Sequence, residues 1–539
     1  MKASLVFAPP ANPTYTPLGI ATLAEYIRHK EPQVQIETLD LNISTWHLLA
    51  DRSEWGRACR HFMQGKTGDF FDRPQYAAHQ QAVMEIGHGL EKCLSSTRQY
   101  LEGGDLTGDL KEMLDYWATL VLQQDPELIG LSIMYPRQVL TSLALAKYLK
   151  SILHESGRAE RRIVLGGATI SALNPQEILQ ACSFVDAVVG GEGERALQML
   201  CRGEAFEKIG GLSFRRPGRI VTNRKQETLS LMDIPLPSFD GVDLAAYLNP
   251  EPVASVIFSR GCMWRQCRFC AHNFSYSGYR RRAIVPFVDH LAKVNASKGV
   301  RHFYFADQYV DADDMKCLAD EIIRKGLDIA FHLMGRPTAS YTAEVCRRLY
   351  EAGCRWISWG VESGSQRLLD VCSKGTRVET IERVVRNAHE AGIANLVMMI
   401  FGLPTSCDSD LDATFDLLDA LADVTDDITS SSFQLWGKTA FAANPAAFGL
   451  KITGREHFFD SPSGPVHSLR LFYRETVGDG TLRLPSGPLE IARWQRRQRL
   501  VGRRQELEGL SCEHTLLYTA RRSAKRSPAG PVPLCDASM

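Results

Sequence analysis

The sequence predicts an α/β protein: an N-terminal doubly wound, Rossmann-like sheet, a central partial TIM-type (βα)6 barrel, and a small mixed C-terminal region. Three observations carry this. Short apolar strands alternate with helix-period segments from Lys2 to Glu194 and again from Val253 to Trp436, the rhythm of parallel βα units. Glycines stand where the first set of strands ends, at Gly166-Gly167 and Gly190-Gly191, where an open α/β sheet meets its ligand. Three of the 14 cysteines fall together between Cys262 and Cys270, directly after the first strand of the second set.

Composition bounds the answer. At about 150 residues per domain, 539 residues predict three to four units. Lys plus Arg and Asp plus Glu both number 62, so the net charge is zero, and no global field draws the chain to nucleic acid or an anionic membrane. Hydrophobic residues at 44% and charged residues at 23% exclude a disordered or fibrous chain. No apolar run reaches the roughly 18 residues of a membrane span. The opening MKASLVFAPPANPTYTP has too short an apolar stretch for a secretory signal. The expected setting is cytoplasmic, with neither membrane nor nucleic acid as partner.

In chain order, Lys2–Ala8 reads as a strand, followed by a Pro-rich loop and the helix LGIATLAEYIRHK, and Val34–Leu39 as the next strand. Residues from about 44 to 125 break the rhythm with polar helical stretches and read as an insertion. Alternation resumes with the strand Leu128–Ile133, the helix LTSLALAKYLKSIL, the strand Arg162–Gly167, and VDAVVGGEGE. FEKIGGLSFRRPGRIV turns at Pro217-Gly218 as a hairpin. Pro235, Pro237, Pro250 and Pro252 mark a linker. The barrel strands are expected at VASVIF, HFYFAD, IAFHLM, CRWISWGVE, ANLVMMIFG and SSFQLW. The expected units are 1–205 with the insertion, 206–250 as hairpin and linker, 251–438 as barrel, 439–520 as a substrate-shaping region that is not strand-rich, and 521–539 as a basic, Pro-rich disordered tail. The Arg-rich stretch IARWQRRQRLVGRRQE is expected to be a solvated helix face.

SRGCMWRQCRFCAHNF supplies Cys262, Cys267 and Cys270 in a C-x4-C-x2-C spacing. Three thiolates on one loop can hold three corners of an iron–sulfur cube and leave one iron open. Zinc, with His272 as fourth ligand, is the competing chemistry. The other eleven cysteines are scattered singly, as buried small hydrophobes are.

A cluster loop with an aromatic, Phe269, before its last Cys, directly after the first barrel strand, resembles the radical S-adenosylmethionine (SAM) enzymes, whose usual spacing is one residue shorter in the first gap. Three later stretches extend the resemblance: FADQ (Phe305–Gln308), GVESGSQRLLDVCSKGT (Gly360–Thr376) and MMIFGLPT (Met398–Thr405). The resemblance implies a [4Fe-4S] cluster on the three cysteines, with SAM held near Phe269, Asp307, Glu362, Lys374, Gly402 and Pro404. It also implies an electron donor such as flavodoxin or ferredoxin.

The N-terminal segments TPLGIATLAEYI, IGLSIMYP, VLGGATIS and VVGGEGE resemble the cobalamin-binding domain that precedes the barrel in one radical SAM subgroup. Gly19, Ser132, Gly166, Gly167, Gly190, Gly191, Glu192 and Gly193 would then meet the corrin and its tail. No D-x-H-x-x-G segment supplies a cobalt-ligating His, which is usual in that subgroup. The competing ligand is a nucleotide, against which the absence of G-x-G-x-x-G after the first strand counts.

Cobalamin beside a SAM cluster implies methyl transfer to a substrate carbon. A deoxyadenosyl radical takes a hydrogen atom, the carbon radical takes methyl from methylcobalamin, and a second SAM restores the methyl. The substrate, a small molecule or peptide, should then lie between the two domains. Tyr135, Arg137, Tyr309 and Arg336, all just past predicted strand ends, are the candidates to line that space. A radical rearrangement or cyclisation, and a non-enzymatic corrinoid-binding protein, are the alternatives.

Overall fold

Seven strands build the first sheet in the order β2-β1-β3-β4-β5-β6-β7 of a computed structural model. It describes every residue except 225–227, 275, 277, 477–479, 502–506 and 527–539. The strands are β1 (Lys2–Phe7), β2 (Gln35–Asp40), β3 (Leu128–Ser132), β4 (Arg162–Gly166), β5 (Ala187–Val189), β6 (Leu212–Arg216) and β7 (Arg219–Thr222). The first five pair in parallel. Their continuous apolar stretches, buried along β1 and β5, are what helices on both faces demand. The hairpin at Pro217-Gly218 is present, but β6 pairs antiparallel with β5. It thus extends the first sheet and is no free linker.

The insertion is five helices between Leu41 and Leu122. Asp40 starts it by accepting the Ile43 N–H at 3.0 Å. Trp117, fully buried, donates its indole N–H to Thr45 Oγ1 at 2.8 Å and fixes the last helix on the first.

The second sheet has six parallel strands in an open path: Val253–Val256, His302–Phe305, Ala330–Gly335, Cys354–Glu362, Ala394–Phe401 and Asp427–Ser432. The last strand is not SSFQLW. The polar run Asp427–Ser432 takes the edge because its register against Leu396–Phe401 is continuous. Leu435–Trp436 pairs with a C-terminal strand instead. An edge strand selected by pairing partners overrides intrinsic propensity. Side chains alternate across this sheet. Phe303, Phe331, Leu333, Ile357, Val397 and Met399 join the core under the outer helices. Ala330, Trp356, Ala394 and Leu396 face inward.

The C-terminal region corrects two expectations. It contains a long antiparallel hairpin, Leu450–Ser461 with Gly464–Thr476. Its Phe458, Phe459 and Val466 enter the core of the first domain, and its Arg455 pairs with Glu177 at 2.9 Å. The final helix, Cys512–Arg526, includes residues 521–526, which composition had assigned to the tail; residues 527–539, with Cys535, lie outside the described residues. Leu516 and Leu517 bury against the inward barrel face, so one apolar stripe holds a strongly basic segment helical. The Arg-rich stretch begins on helix Gly487–Val501. There Arg493 and Arg497 pair with Asp408 and Asp419 at 2.6 and 2.5 Å and Trp494 inserts into the barrel core; its residues 502–506 lie outside the described ones. Among the described residues, no helix is long and apolar enough to cross a membrane.

Candidate active site

The cysteine loop leaves the barrel at Ser259–Arg260. Gly261 has φ of +85°, and a Cβ there would sit 2.3 Å from the Gly278 carbonyl oxygen, so only glycine admits this turn. The loop is stapled to the segment after the fourth barrel strand. Trp264 Nε1 donates to Ser373 O at 2.8 Å, Arg268 Nη1 to Val371 O at 2.7 Å, and the Arg268 N–H to Cys372 O at 2.9 Å.

Cys262, Cys267 and Cys270 form no disulfide and are partly accessible. Burial pushes the Cys267 thiol up to about 11, against the pull of the Lys374 ammonium, and the thiols of Cys270 and Cys262 act on it in the same upward sense. The three thiols therefore share one site. Yet among the described residues no three His, Cys, Asp or Glu side chains converge as ligands of one ion. His272 turns its Nδ1 to Gln308 Nε2 at 3.0 Å. A tetrahedral zinc would draw sulfurs in to about 2.3 Å from one centre, whereas a cube takes one thiolate per iron corner. The donor set fits the cluster better.

Beside the thiols, Glu362 and Lys374 pair at 2.7 Å, with side chains 12% and 8% exposed. Burial pulls the ammonium down, but Glu362 and Cys267 outweigh it and leave Lys374 above its ordinary value. Glu362 sits at φ +70°, strained backbone of the kind that clusters at functional sites. Phe269 lies under Lys374, 6.0 Å from ring centre to Nζ. Asp307 is fully buried and accepts from Phe258 N, Ser259 N and Ser259 Oγ at 3.1, 2.5 and 2.6 Å. Its carboxylate ties two strand ends together, and burial pushes it up to about 6. The Gly402 N–H is taken by Glu490 Oε2 at 2.8 Å, and Pro404 is buried beside it.

Arg336 stacks 4.1 Å over Trp264 and donates to the carbonyls of Lys374 and Gly375, so it braces the cysteine loop. Tyr309 donates to Asp311 at 3.3 Å, with Arg336 and Cys262 within electrostatic reach. Tyr135 meets Tyr15 edge-on at 6.1 Å. Arg137 does not join them. Its side chain is 65% exposed and paired with Glu91 of the helical insertion at 2.5 Å, because the chain turns outward as the next helix begins.

A cavity of about 1310 Å³, open mouth included, lies at the carboxyl ends of β1, β3, β4 and β5. Gly19, Ser132, Gly166, Gly167, Gly191, Glu192 and Gly193 line it; Gly190 does not, its N–H being spent on the Gly211 carbonyl. A Cβ at Gly19, Gly166 or Gly193 would find no protein atom nearer than 3.5 Å, so side chains there would fill the cavity instead. This is the cradle a large flat ligand needs. Its far wall belongs to the barrel: Ile257, Arg260, Tyr276 and Ala306. Arg260 crosses the interface to Glu192 and Glu194 at 2.6 and 2.5 Å, and Arg280 also reaches Glu192. The Glu192 carboxylate thus joins the domains.

Sequence reasoning missed Arg260, Arg280, Glu194 and Glu490. Of these, only Arg260 and Glu194 carried a signal, as charged neighbours of glycine- and cysteine-rich motifs at strand ends.

Residues 256–418 match the family model of the radical SAM superfamily, so this segment is a radical SAM domain. An uncharacterized methyltransferase of Pyrococcus horikoshii is 24% identical over 306 residues, covering 55% of this chain and 65% of that protein. The chain thus spans slightly less than two thirds of that relative's length. In fold, the radical SAM methyltransferase TsrM of Kitasatospora setae, solved with tryptophan substrate and a SAM analogue, superposes with a TM-score of 0.58 at 18% identity, over 84% of this chain and 78% of that one. The cobalamin-dependent SAM radical enzyme OxsB, solved with aqua-cobalamin and SAM, superposes at 0.63 and 17% identity, over 97% and 71%.

Proposed function

We propose that this chain is a cobalamin-dependent radical SAM enzyme that transfers a methyl group to a carbon of a peptide or small natural-product intermediate. The observation that carries the reading is the shared wall. The glycine cavity of the first sheet ends on Ile257, Arg260, Tyr276 and Ala306, within a few residues of Cys262. Cys262, Cys267 and Cys270 would hold a [4Fe-4S] cluster, and Gly19, Ser132, Gly166, Gly167, Gly191 and Gly193 would admit the corrin. When bound, these groups supply a radical from SAM and a transferable methyl.

The chain's own contribution is position and exclusion of water. Lys374, paired with Glu362, keeps a positive charge beside the thiolates. Trp264, Arg268 and Arg336 hold the cysteine loop on its neighbour. Arg260 closes the domains over the reaction space. Tyr309 is the barrel residue proposed to meet the substrate, and Tyr135 its counterpart in the first domain. A flavodoxin or ferredoxin would supply the electron in a cytoplasmic setting.

The test is anaerobic reconstitution with cobalamin, reductant and methyl-labelled SAM, offered candidate substrates. Labelled methyl on product is the expected outcome. Deoxyadenosine without methylated product would replace methylation by rearrangement or cyclisation. Bound cobalamin with no SAM cleavage would reduce the chain to a corrinoid-binding protein.

A further inference from the structure

We propose that Glu513 is a substrate-binding residue that receives a basic nitrogen, so that the substrate is an amine or a similarly basic N–H compound. The inference rests on the reaction space placed above between the two domains. Glu513 stands on the first turn of helix Cys512–Arg526, which enters the open barrel against its inward face. Its side chain meets Thr14 of the first domain.

Four other buried glutamates among the described residues have a cation partner. Glu31, Glu194, Glu321 and Glu475 each pair with an arginine, at 2.6, 2.5, 2.6 and 2.8 Å. Glu490 accepts from Gly402 N and Ser406 Oγ. Glu513 is as buried, at 4% exposure. Its side chain accepts one hydrogen bond from another residue, from Thr14 Oγ1 at 2.6 Å, and among the described residues no cation pairs with it. The neighbouring His514 cannot serve, since Tyr76 and the Leu248 carbonyl occupy both ring nitrogens at 2.8 and 2.6 Å. Burial raises the Glu513 carboxyl, opposed only by Thr14 and its own backbone N–H, so a basic group brought in from outside is the partner the position lacks.

The neighbouring side chains are partly open. Cys512 is accessible, yet desolvation pushes its thiol up to about 12. Tyr15, Tyr135 and Tyr304 likewise keep accessible surface. Burial raises all three phenols, and the Glu513 charge raises them further. Each of these rings keeps accessible surface and stands within electrostatic reach of the Glu513 carboxyl. Tyr15 also lines the glycine cavity, while Tyr304 stacks on His332 at 4.5 Å inside the barrel. The proposed binding position therefore lies between the glycine cavity and the barrel interior. One carboxylate among three phenol rings suits a cationic nitrogen through a charge-assisted hydrogen bond and ring-face attraction.

The experiment compares benzylamine with benzyl alcohol by equilibrium dialysis against the cobalamin-loaded, cluster-loaded full chain, with E513Q and E513M alongside. The expected result is at least tenfold tighter binding of the amine to wild type and equal binding of both probes in the variants. Cobalamin absorbance and SAM binding should be unchanged throughout. Both variants should melt at or above the wild-type temperature, because they remove a carboxyl whose ionised form burial disfavours. Equal binding to wild type, a preference that survives in E513Q or E513M, or variants that melt below wild type would overturn the proposal. Dialysis needs no turnover, so its failure is read separately from that of methyl transfer, which labelled product alone reports.

Discussion

Arg260→Met should loosen the joint between the two domains by an amount the local geometry sets. Arg260 is 9% exposed at its side chain and serves two carboxylates, Glu192 at 16% and Glu194 at 4%. Glu192 keeps Arg280 when Arg260 is lost, so the cost falls on Glu194. Removing one partner of a buried pair costs about 3–5 kcal/mol, which for units of this size lowers Tm by roughly 6–20 °C. Burial raises the Glu194 carboxyl, but Arg260 more than offsets this and leaves it below its ordinary value. Wild type therefore draws stability from this site above the ordinary carboxylate range and loses it as pH falls. In Arg260→Met the burial effect is unopposed, the folded-state value rises, and stability is lost as pH rises instead. Calorimetry on Arg260→Met, Glu194→Gln and the double variant reads this directly. The double variant should recover most of the loss, and corrinoid affinity should follow it because both residues line the cavity. Arg260→Met melting within about 2 °C of wild type, a loss under about 1 kcal/mol, or losses that simply add, would refute the reasoning.

Gly166→Val should place its side chain in the cavity, since a Cβ there comes no nearer than 4.0 Å to protein. The chain should fold normally and lose at least tenfold in cobalamin affinity, measured by absorbance titration. Cys262→Ala, Cys267→Ala and Cys270→Ala should each abolish the iron–sulfur absorbance and deoxyadenosine formation while leaving cobalamin binding intact. Asp307, with its carboxyl at about 6 instead of 3.8, favours its neutral form in the fold by about 3 kcal/mol. That stability is full below pH 4 and lost as pH rises through 6. Urea unfolding at pH 4.5 and 7.5 should show a smaller acid-side gain in Asp307→Asn than in wild type. Arg137→Ala should change stability by less than about 1 kcal/mol, as exposed pairs do, and leave cobalamin binding unchanged.

The parts of this molecule legible in its sequence are those where local chemistry and tertiary role coincide. The parallel strands announce themselves because burial on both faces forces apolar runs. The cysteine loop does so because three thiols on nine residues serve few structures other than a cluster. Cavity glycines such as Gly166 and Gly193 stood out for the same reason, since strand ends seldom spare a side chain without a ligand to admit. The sixth barrel strand was hidden because Asp427–Ser432 owes its conformation to the register of its neighbour and to nothing in its own composition. Arg137 misled because position after a strand says nothing of the direction in which the next helix carries a side chain.

Glu513 shows the deeper limit. It lies 499 residues from its hydrogen-bond partner Thr14, inside the region 439–520 expected to shape the substrate pocket, where no motif singles it out. Only the fold reveals that Leu516 and Leu517 pin that stretch inside the barrel and thereby deliver a carboxylate to the space between the domains. Substrate-facing residues of this kind need not obey the periodicity of the scaffold, because the scaffold is complete without them. The final helix closes the barrel from within, and its first turn supplies contacts that the cofactor-binding strands cannot. Exchange of Cys512 and Glu513 within an unchanged Leu516–Leu517 anchor should therefore alter which ligands bind without lowering Tm and with cobalamin and SAM binding as they are. A loss of fold on that exchange would show the first turn to be structural.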